Sequence, residues 1–522
     1  EGFGSITADG DETVTLSDAG TISGDSSVET YVLADATGNV FIGADIGQVV
    51  LGGTNDDDIT GGIGNDDISG GAGNDTVTGG AGADTLTGGA GNDVFVIAAS
   101  GDHSPGETIT GGAGTDTLRY TSTTNDESLT LQNGVDVEKV VASAEDGTAT
   151  GADVDIDASN ASGTIELVGN SGDNVLSGND QANVITGGAG NDTLTGGGGA
   201  DAFNVDAGTD TITDLSGSDV LNVSAGASGD ATVTADYTAT SATGNNGGTA
   251  TLNVTDGVDV DLASISSGDS GFTIDASGNK PASTLTGSQF DDSILGSASG
   301  DTIMGGAGAD SIDAGSGDDT LIYADGSDLS GDVSVDGGAG MDTIRFTSAT
   351  ADVDDEHFAN VSGDSIEAIT LSSGGGNTTI TLGNSGDAAT DGLTITGADQ
   401  TAPGSGDTID VSGMTEAVTI IAGSGDDVIA GGGSGDTITG GSGDDVITGG
   451  GGADTLTGGA GADTFVFSSG DAVSGERVNS DSSDTIELST GADIAVVDAE
   501  GSRAGSAFNA DSLTLSGDAN VT

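Results

Sequence analysis

From Gly52 to Val96 a large apolar residue falls at every ninth position: Ile59, Ile68, Val77, Leu86 and Phe95. Polar or small residues flank each of them. The spacing is too sparse for a helical stripe and too regular for a loop. It predicts three-residue strands such as Asp67-Ile68-Ser69, with the central side chain turned inward and its neighbours facing solvent. The six residues between strands, such as Gly61-Gly62-Ile63-Gly64-Asn65-Asp66, predict a tight turn, because glycine adopts backbone angles that a Cβ forbids. Two nonamers make one coil, so residues eighteen apart stack at about 4.8 Å, the spacing of neighbouring strands. The expected fold is all-β, an elongated parallel β-roll or β-helix solenoid. If all 522 residues coiled this way, the strand spacing would give a rod of roughly 140 Å.

The pattern divides the chain. Residues 1–51 read as β lead-in coils. Residues 52–119 form a first roll, opening with GGTNDDDIT, GGIGNDDIS, GGAGNDTVT, GGAGADTLT and GGAGNDVFV and closing with the lone GGAGTDTLR. A weaker second roll covers 169–213. A third covers 287–345 and ends in a lone GGAGMDTIR, and a fourth covers 422–466. Between them lie the segments 120–168, 214–286 and 346–421, which keep strand signals without the glycine pattern. Residues 467–522 read as closing coils. A longer period overlies the short one. GGAGTDTLRYTS at 111 and GGAGMDTIRFTS at 337 are each followed by a related strand, containing Glu138 in one case and Glu367 in the other.

Nineteen units carry aspartate in the sixth place. Stacking sets Asp57, Asp75 and Asp93 along one edge of the first roll and Asp66 and Asp84 along the other. Carboxylates about 5 Å apart repel by roughly 1 kcal/mol even at the dielectric of water, so such columns need a cation. Ca²⁺ takes six to eight oxygens from carboxylates and backbone carbonyls, and a glycine-rich turn supplies both. The expected metal residues in the first roll are Asp57, Gly62, Gly64, Asp66, Gly71, Gly73, Asp75, Gly80, Gly82, Asp84, Gly89, Gly91, Asp93 and Asp116. The later rolls add Asp192, Asp201 and Asp210, then Asp292, Asp301, Asp310, Asp319 and Asp342, then Asp427, Asp436, Asp445, Asp454 and Asp463. Asn174 and Asn183 stand where aspartate belongs and bring no charge, so weaker or empty sites are expected there. The total expected is on the order of ten Ca²⁺ ions, each needing two stacked turns. Binding free energy is then folding free energy, and a mostly unfolded metal-free chain is expected.

Composition narrows the function. Lysine and arginine number 6 against 86 acidic residues, a formal charge of −80. No basic patch exists to neutralise phosphates, so nucleic acid is excluded as a partner. There is no cysteine, so metal replaces disulfide as the staple. No apolar run is long enough to span a membrane, and no signal peptide is legible. The start at Glu1 reads as that of a processed or partial segment. His103 and His357 are the only histidines. Neither sits in the H-E-x-x-H arrangement of a zinc protease, and no G-x-S-x-G nucleophile elbow occurs. Structural roles are expected for both histidines, for Glu138 and for Glu367, and no catalytic residue is expected.

The nonamers resemble those of the RTX, or haemolysin-type calcium-binding, family. That resemblance implies type I export with a C-terminal signal, an extracellular or cell-surface location and folding on meeting external Ca²⁺. The alternation of short rolls with long Thr/Ser/Ala/Val segments, together with GGAGTDTLR…VEKVV and GGAGMDTIR…IEAIT, is similar to RTX surface-layer proteins of Gram-negative bacteria. It implies a non-enzymatic structural protein that assembles with copies of itself through Ca²⁺-assisted contacts, with cell-surface polysaccharide as a second partner. The stalk of a large RTX adhesin, and the carrier portion of a secreted enzyme or toxin, are the alternatives.

Overall fold

The computed structural model describes residues 13–15, 20–26, 28–33, 38–44, 46–144, 151–278, 281–348, 350–362, 365–371, 377–383, 392–397 and 405–468, with short pieces at 477–479, 484–488, 493–494, 512–515 and 520–521. The chain is an all-β parallel solenoid. Among the described residues, helix is confined to one turn of α-helix at Gly326–Leu329 and short 3₁₀ segments at Ser100–Asp102 and Asp355–Phe358. No described helix is long and apolar enough to cross a membrane. Two compact units emerge: residues 1–253 with 264–270, and residues 254–263 with 271–522. Each holds two of the four rolls.

In the first unit, strands adjacent in sequence lie in different sheets, and most pair in parallel with the next strand but one; Thr108–Ala113, Thr117–Tyr120 and Glu127–Thr130 instead pair with the third strand on. The register is the eighteen-residue step expected from the period: Ile59 pairs with Val77 and Val77 with Phe95 on one side, Ile68 with Leu86 on the other. The column continues beyond the roll without the glycine pattern. Phe95 pairs with Leu118, Leu118 with Val140, Val140 with Leu167, Leu167 with Ile185 and Ile185 with Phe203. The coils of segment 120–168 are longer, but the inward residue keeps its place. All of these side chains are fully buried, each contributing about 1.5–3 kcal/mol of apolar burial. The core is therefore one side chain wide, and each coil depends on its neighbours.

The second unit stacks inward side chains into the same kind of columns, although its consecutive strands from Val260 to Phe346 share one sheet. Leu285, Ile303, Leu321, Ile344 and Ile369 form one column and Ile409, Ile429, Ile447 and Phe465 another. Phe465 then pairs with Ile486, so the expected closing coil begins in register.

The strands of the first roll are longer than the three residues expected. They run through the glycine pair, as in Asp67–Ala72 and Thr76–Ala81, and the first glycine of each pair is buried like the apolar residue two places before it. The reason is space. A Cβ on Gly70 would lie 2.3 Å from Asp75 Oδ2, and on Gly79 2.4 Å from Asp84 Oδ2. The first glycine faces inward because the aspartate of its own turn fills the room where a side chain would be.

Candidate metal centre

The solenoid brings the sixth-position aspartates into ladders. Every one of the nineteen is at most 3% exposed, because its side chain lies inside the turn and the next coil covers it. The Oδ1 of each accepts a hydrogen bond from the backbone N–H of the ladder residue one coil earlier. Asp57 N–H donates to Asp75 Oδ1 at 2.7 Å, Asp75 to Asp93 at 2.8 Å and Asp93 to Asp116 at 2.8 Å. On the other edge Asp66 donates to Asp84 at 2.8 Å. The second unit repeats the device, with Asp292 to Asp310, Asp301 to Asp319, Asp319 to Asp342, Asp427 to Asp445 and Asp436 to Asp454.

The second oxygen decides the chemistry. Oδ2 of Asp66, Asp75, Asp84, Asp93, Asp116, Asp192, Asp210, Asp319, Asp342, Asp427 and Asp445 is buried with no hydrogen-bond partner. A buried, unpartnered carboxylate oxygen is costly unless a proton or a cation meets it. The chain cannot supply the cations, with 6 basic residues against 86 acidic ones. The metal-free ladders therefore hold protons tightly. Burial, offset in part by the N–H bond to Oδ1 and reinforced by neighbouring carboxylates, pushes Asp75 and Asp84 up to about 6. The same causes in the same order push Asp192, Asp310, Asp319 and Asp445 up to about 7.

The backbone completes the donor set. Gly71 and Gly73 have φ of 110° and 124°, the left-handed region that glycine enters without steric cost. The turns stack so closely that a Cβ on Gly80, Gly82, Gly89 or Gly91 would meet the carbonyl oxygen of Gly62, Gly64, Gly71 or Gly73 respectively at 1.6–2.0 Å. Carbonyl oxygens and buried carboxylates thus share the same ridge. Among the described residues no group of three or more His, Asp or Glu side chains gathers in metal-binding geometry. A ladder brings carboxylates together only one coil at a time, so a site here draws two of them and takes its remaining oxygens from the backbone. That set is hard and all-oxygen, and fits Ca²⁺.

The sequence profile of the RTX calcium-binding nonapeptide repeat matches residues 43–77, 60–95, 107–120, 168–203, 204–227, 283–311, 295–330, 410–438 and 431–465. The chain carries RTX calcium-binding repeats at intervals along its length. No curated protein matches it. Calcium is the ion such repeats bind. In this RTX chain the carboxylates of Asp66 and Asp84 with carbonyls of Gly62 and Gly64 would hold one ion, and Asp75 and Asp93 with Gly71 and Gly73 another. The bound ion supplies the positive charge that the ladder lacks.

Not all predicted RTX turns are alike. Asp57 Oδ2 accepts from Gly53 N–H at 2.9 Å, Asp292 Oδ2 from Ser288 at 2.6 Å, Asp301 Oδ2 from Ser297 at 2.6 Å and Asp436 Oδ2 from Gly432 at 2.7 Å. These four carboxylates are satisfied by their own turns. Asn174 is as well: its Oδ1 accepts from Asn170 N–H and its Nδ2 donates to the Val154 carbonyl, both at 2.8 Å.

Several ladder residues have no sixth-position signature. Glu138 accepts from Asp116 N–H at 2.8 Å and Glu367 from Asp342 N–H at 2.7 Å, so the recurring glutamates take the next rung after the lone GGAG units. Asp219 ends one ladder of the second roll, accepting from Asp201 N–H and from Ser216 N–H in its own turn, both at 2.8 Å. Asp332 ends one ladder of the third, taking Asp310 N–H at 3.1 Å and the Tyr323 hydroxyl at 2.9 Å. Buried Glu107 lies beside Asp84 and bonds His103 Nδ1 at 3.1 Å. Gln132 N–H donates to His103 Nε2 at 3.2 Å. A ring nitrogen that accepts from a backbone N–H carries no proton, so the proton sits on Nδ1 and points to Glu107. The signal for most of these was a carboxylate at the head of a short strand: Glu107, Glu138, Asp219 and Glu367 each stand just before one.

Proposed function

We propose that this RTX protein is a secreted, non-catalytic structural component of the bacterial cell surface, which folds on meeting extracellular Ca²⁺ and assembles with copies of itself into a layer, sheath or filament. One observation supports this above the rest. Buried carboxylates without a protein cation recur in both units, so calcium-dependent stiffening is spread along the chain and is not confined to one module. Among the described residues these carboxylates form six stacked pairs with an unpartnered oxygen on both members, the same order as the roughly ten ions expected at two stacked turns per ion. Outward residues leave an acidic surface, and Ca²⁺ shared between acidic faces would join subunits. Attachment to cell-surface polysaccharide belongs to the same proposal.

Electron microscopy of the purified chain tests it. Ordered sheets or filaments that form with Ca²⁺ and disperse in chelator are expected. Isolated rods in Ca²⁺ would refute self-assembly and favour an adhesin stalk.

A further inference from the structure

The eleven turns with an unpartnered Oδ2 share one residue. Numbering the six residues that end in the aspartate as one to six, position four is always a glycine with positive φ, from Gly64 at 124° through Gly208 at 101° to Gly443 at 131°. In the four turns whose aspartate is satisfied internally, position four is Asn55, Phe290, Ser299 or Ser434. A residue with a Cβ avoids the left-handed region. The turn then takes another path, in which the N–H of position two reaches Oδ2. Position two does not decide the matter. Gly53 and Gly432 are glycines, yet neither has positive φ.

The self-closed turns also share a place. The rung one coil before each is uncharged: Asn39 before Asp57, Phe272 before Asp292, Ser283 before Asp301 and Val418 before Asp436. Each is therefore the first carboxylate of its ladder, with no second one above it to share an ion. In each, Oδ1 accepts the N–H of that rung and Oδ2 the N–H of its own turn, so neither oxygen is left without a partner.

We infer that the fourth residue of the turn decides whether it takes calcium: glycine gives an open turn that holds an ion with the turn after it, and any other residue gives a self-closed turn that starts the ladder metal-free. Asp57, Asp292, Asp301 and Asp436 then bind no ion through their own turns, although each carries the sixth-position signature. The inference rests on calcium binding by the RTX repeats and not on self-assembly.

Gain of a site tests it. Ser434→Gly turns 431–436 into a glycine run like that of 449–454, whose Gly450 and Gly452 both have positive φ, and Asp454 is already in place one coil on. Asn55→Gly does the same above Asp75. Calcium per chain is measured by equilibrium dialysis and metal analysis, with circular dichroism confirming the fold. Each substitution is expected to add one ion per chain, and Gly443→Ser to remove at least one. An unchanged count in folded Ser434→Gly and Asn55→Gly, with the wild type binding calcium, would overturn the inference. A wild type that binds none would overturn the calcium reading itself.

Discussion

Withdrawal of calcium is the perturbation that reads the ladders most directly. Asp75, Asp93 and Asp116 follow one another along one edge of the first roll, each with a buried, unpartnered oxygen. At the strand spacing, each step between ionised neighbours costs about 0.9 kcal/mol at the dielectric of water and about 3.5 kcal/mol at an effective dielectric of 20. Two steps give roughly 2–7 kcal/mol in this ladder alone, against a net stability of about 5–15 kcal/mol for a typical domain. With ladders in every roll, the metal-free protein is expected to lose most of its β signal at pH 7.5. Protons substitute for the ion at lower pH. Asp75 and Asp84 titrate near 6, and Asp192, Asp310, Asp319 and Asp445 near 7, in the folded metal-free state. In the unfolded chain an aspartate titrates near 3.9. Between those values the folded state binds more protons than the unfolded one, so stability falls as pH rises. The stabilising contribution is complete below about 4 and lost through 6–7. Far-UV circular dichroism in metal-free buffer should therefore show β structure returning between pH 7.5 and 5, above the pI of about 4.1. With Ca²⁺ present the trend reverses, since protons compete with the ion for the same oxygens. A metal-free chain as ordered at pH 7.5 as at pH 5, or one that loses β structure on acidification, would refute the ladder energetics.

Other substitutions probe other parts of the coil. Gly70→Ala places a Cβ 2.3 Å from Asp75 Oδ2; overpacking of this kind costs about 1–3 kcal/mol and should raise the calcium concentration at the folding midpoint. Phe95→Ala empties a fully buried position in the one-side-chain core and should cost about 3–5 kcal/mol in calcium-saturated denaturation. Glu138→Ala leaves Asp116 N–H without its acceptor and should cost about 1 kcal/mol, whereas Glu138→Gln keeps an acceptor and should cost much less in the same assay.

Much of the fold was legible because it is local. A nine-residue period with one apolar residue per unit specifies a strand and a turn, and repetition stacks them, so the columns through Ile59, Val77 and Phe95 and through Ile68 and Leu86 follow from counting. The aspartate ladders follow from the same count. Counting fails where the step changes. The interval from Asp93 to Asp116 is 23 residues, that from Asp116 to Glu138 is 22, and that from Asp342 to Glu367 is 25. Only strand pairing restores the alignment and shows the glutamates as rungs.

The sequence by itself determined the solenoid, the stacking of aspartates and the need for a cation, because all three depend on period and charge. Only the tertiary structure revealed which carboxylates are left unpartnered, and that the fourth residue of the turn marks them. That depends on whether a backbone N–H from the same turn reaches Oδ2, and on whether Tyr323 or His103 reaches the end of a ladder from elsewhere. Hydrogen-bond partners are set by the path of the coil in space, and it is this path that separates sixth-position aspartates with an unpartnered oxygen from those met by their own turn.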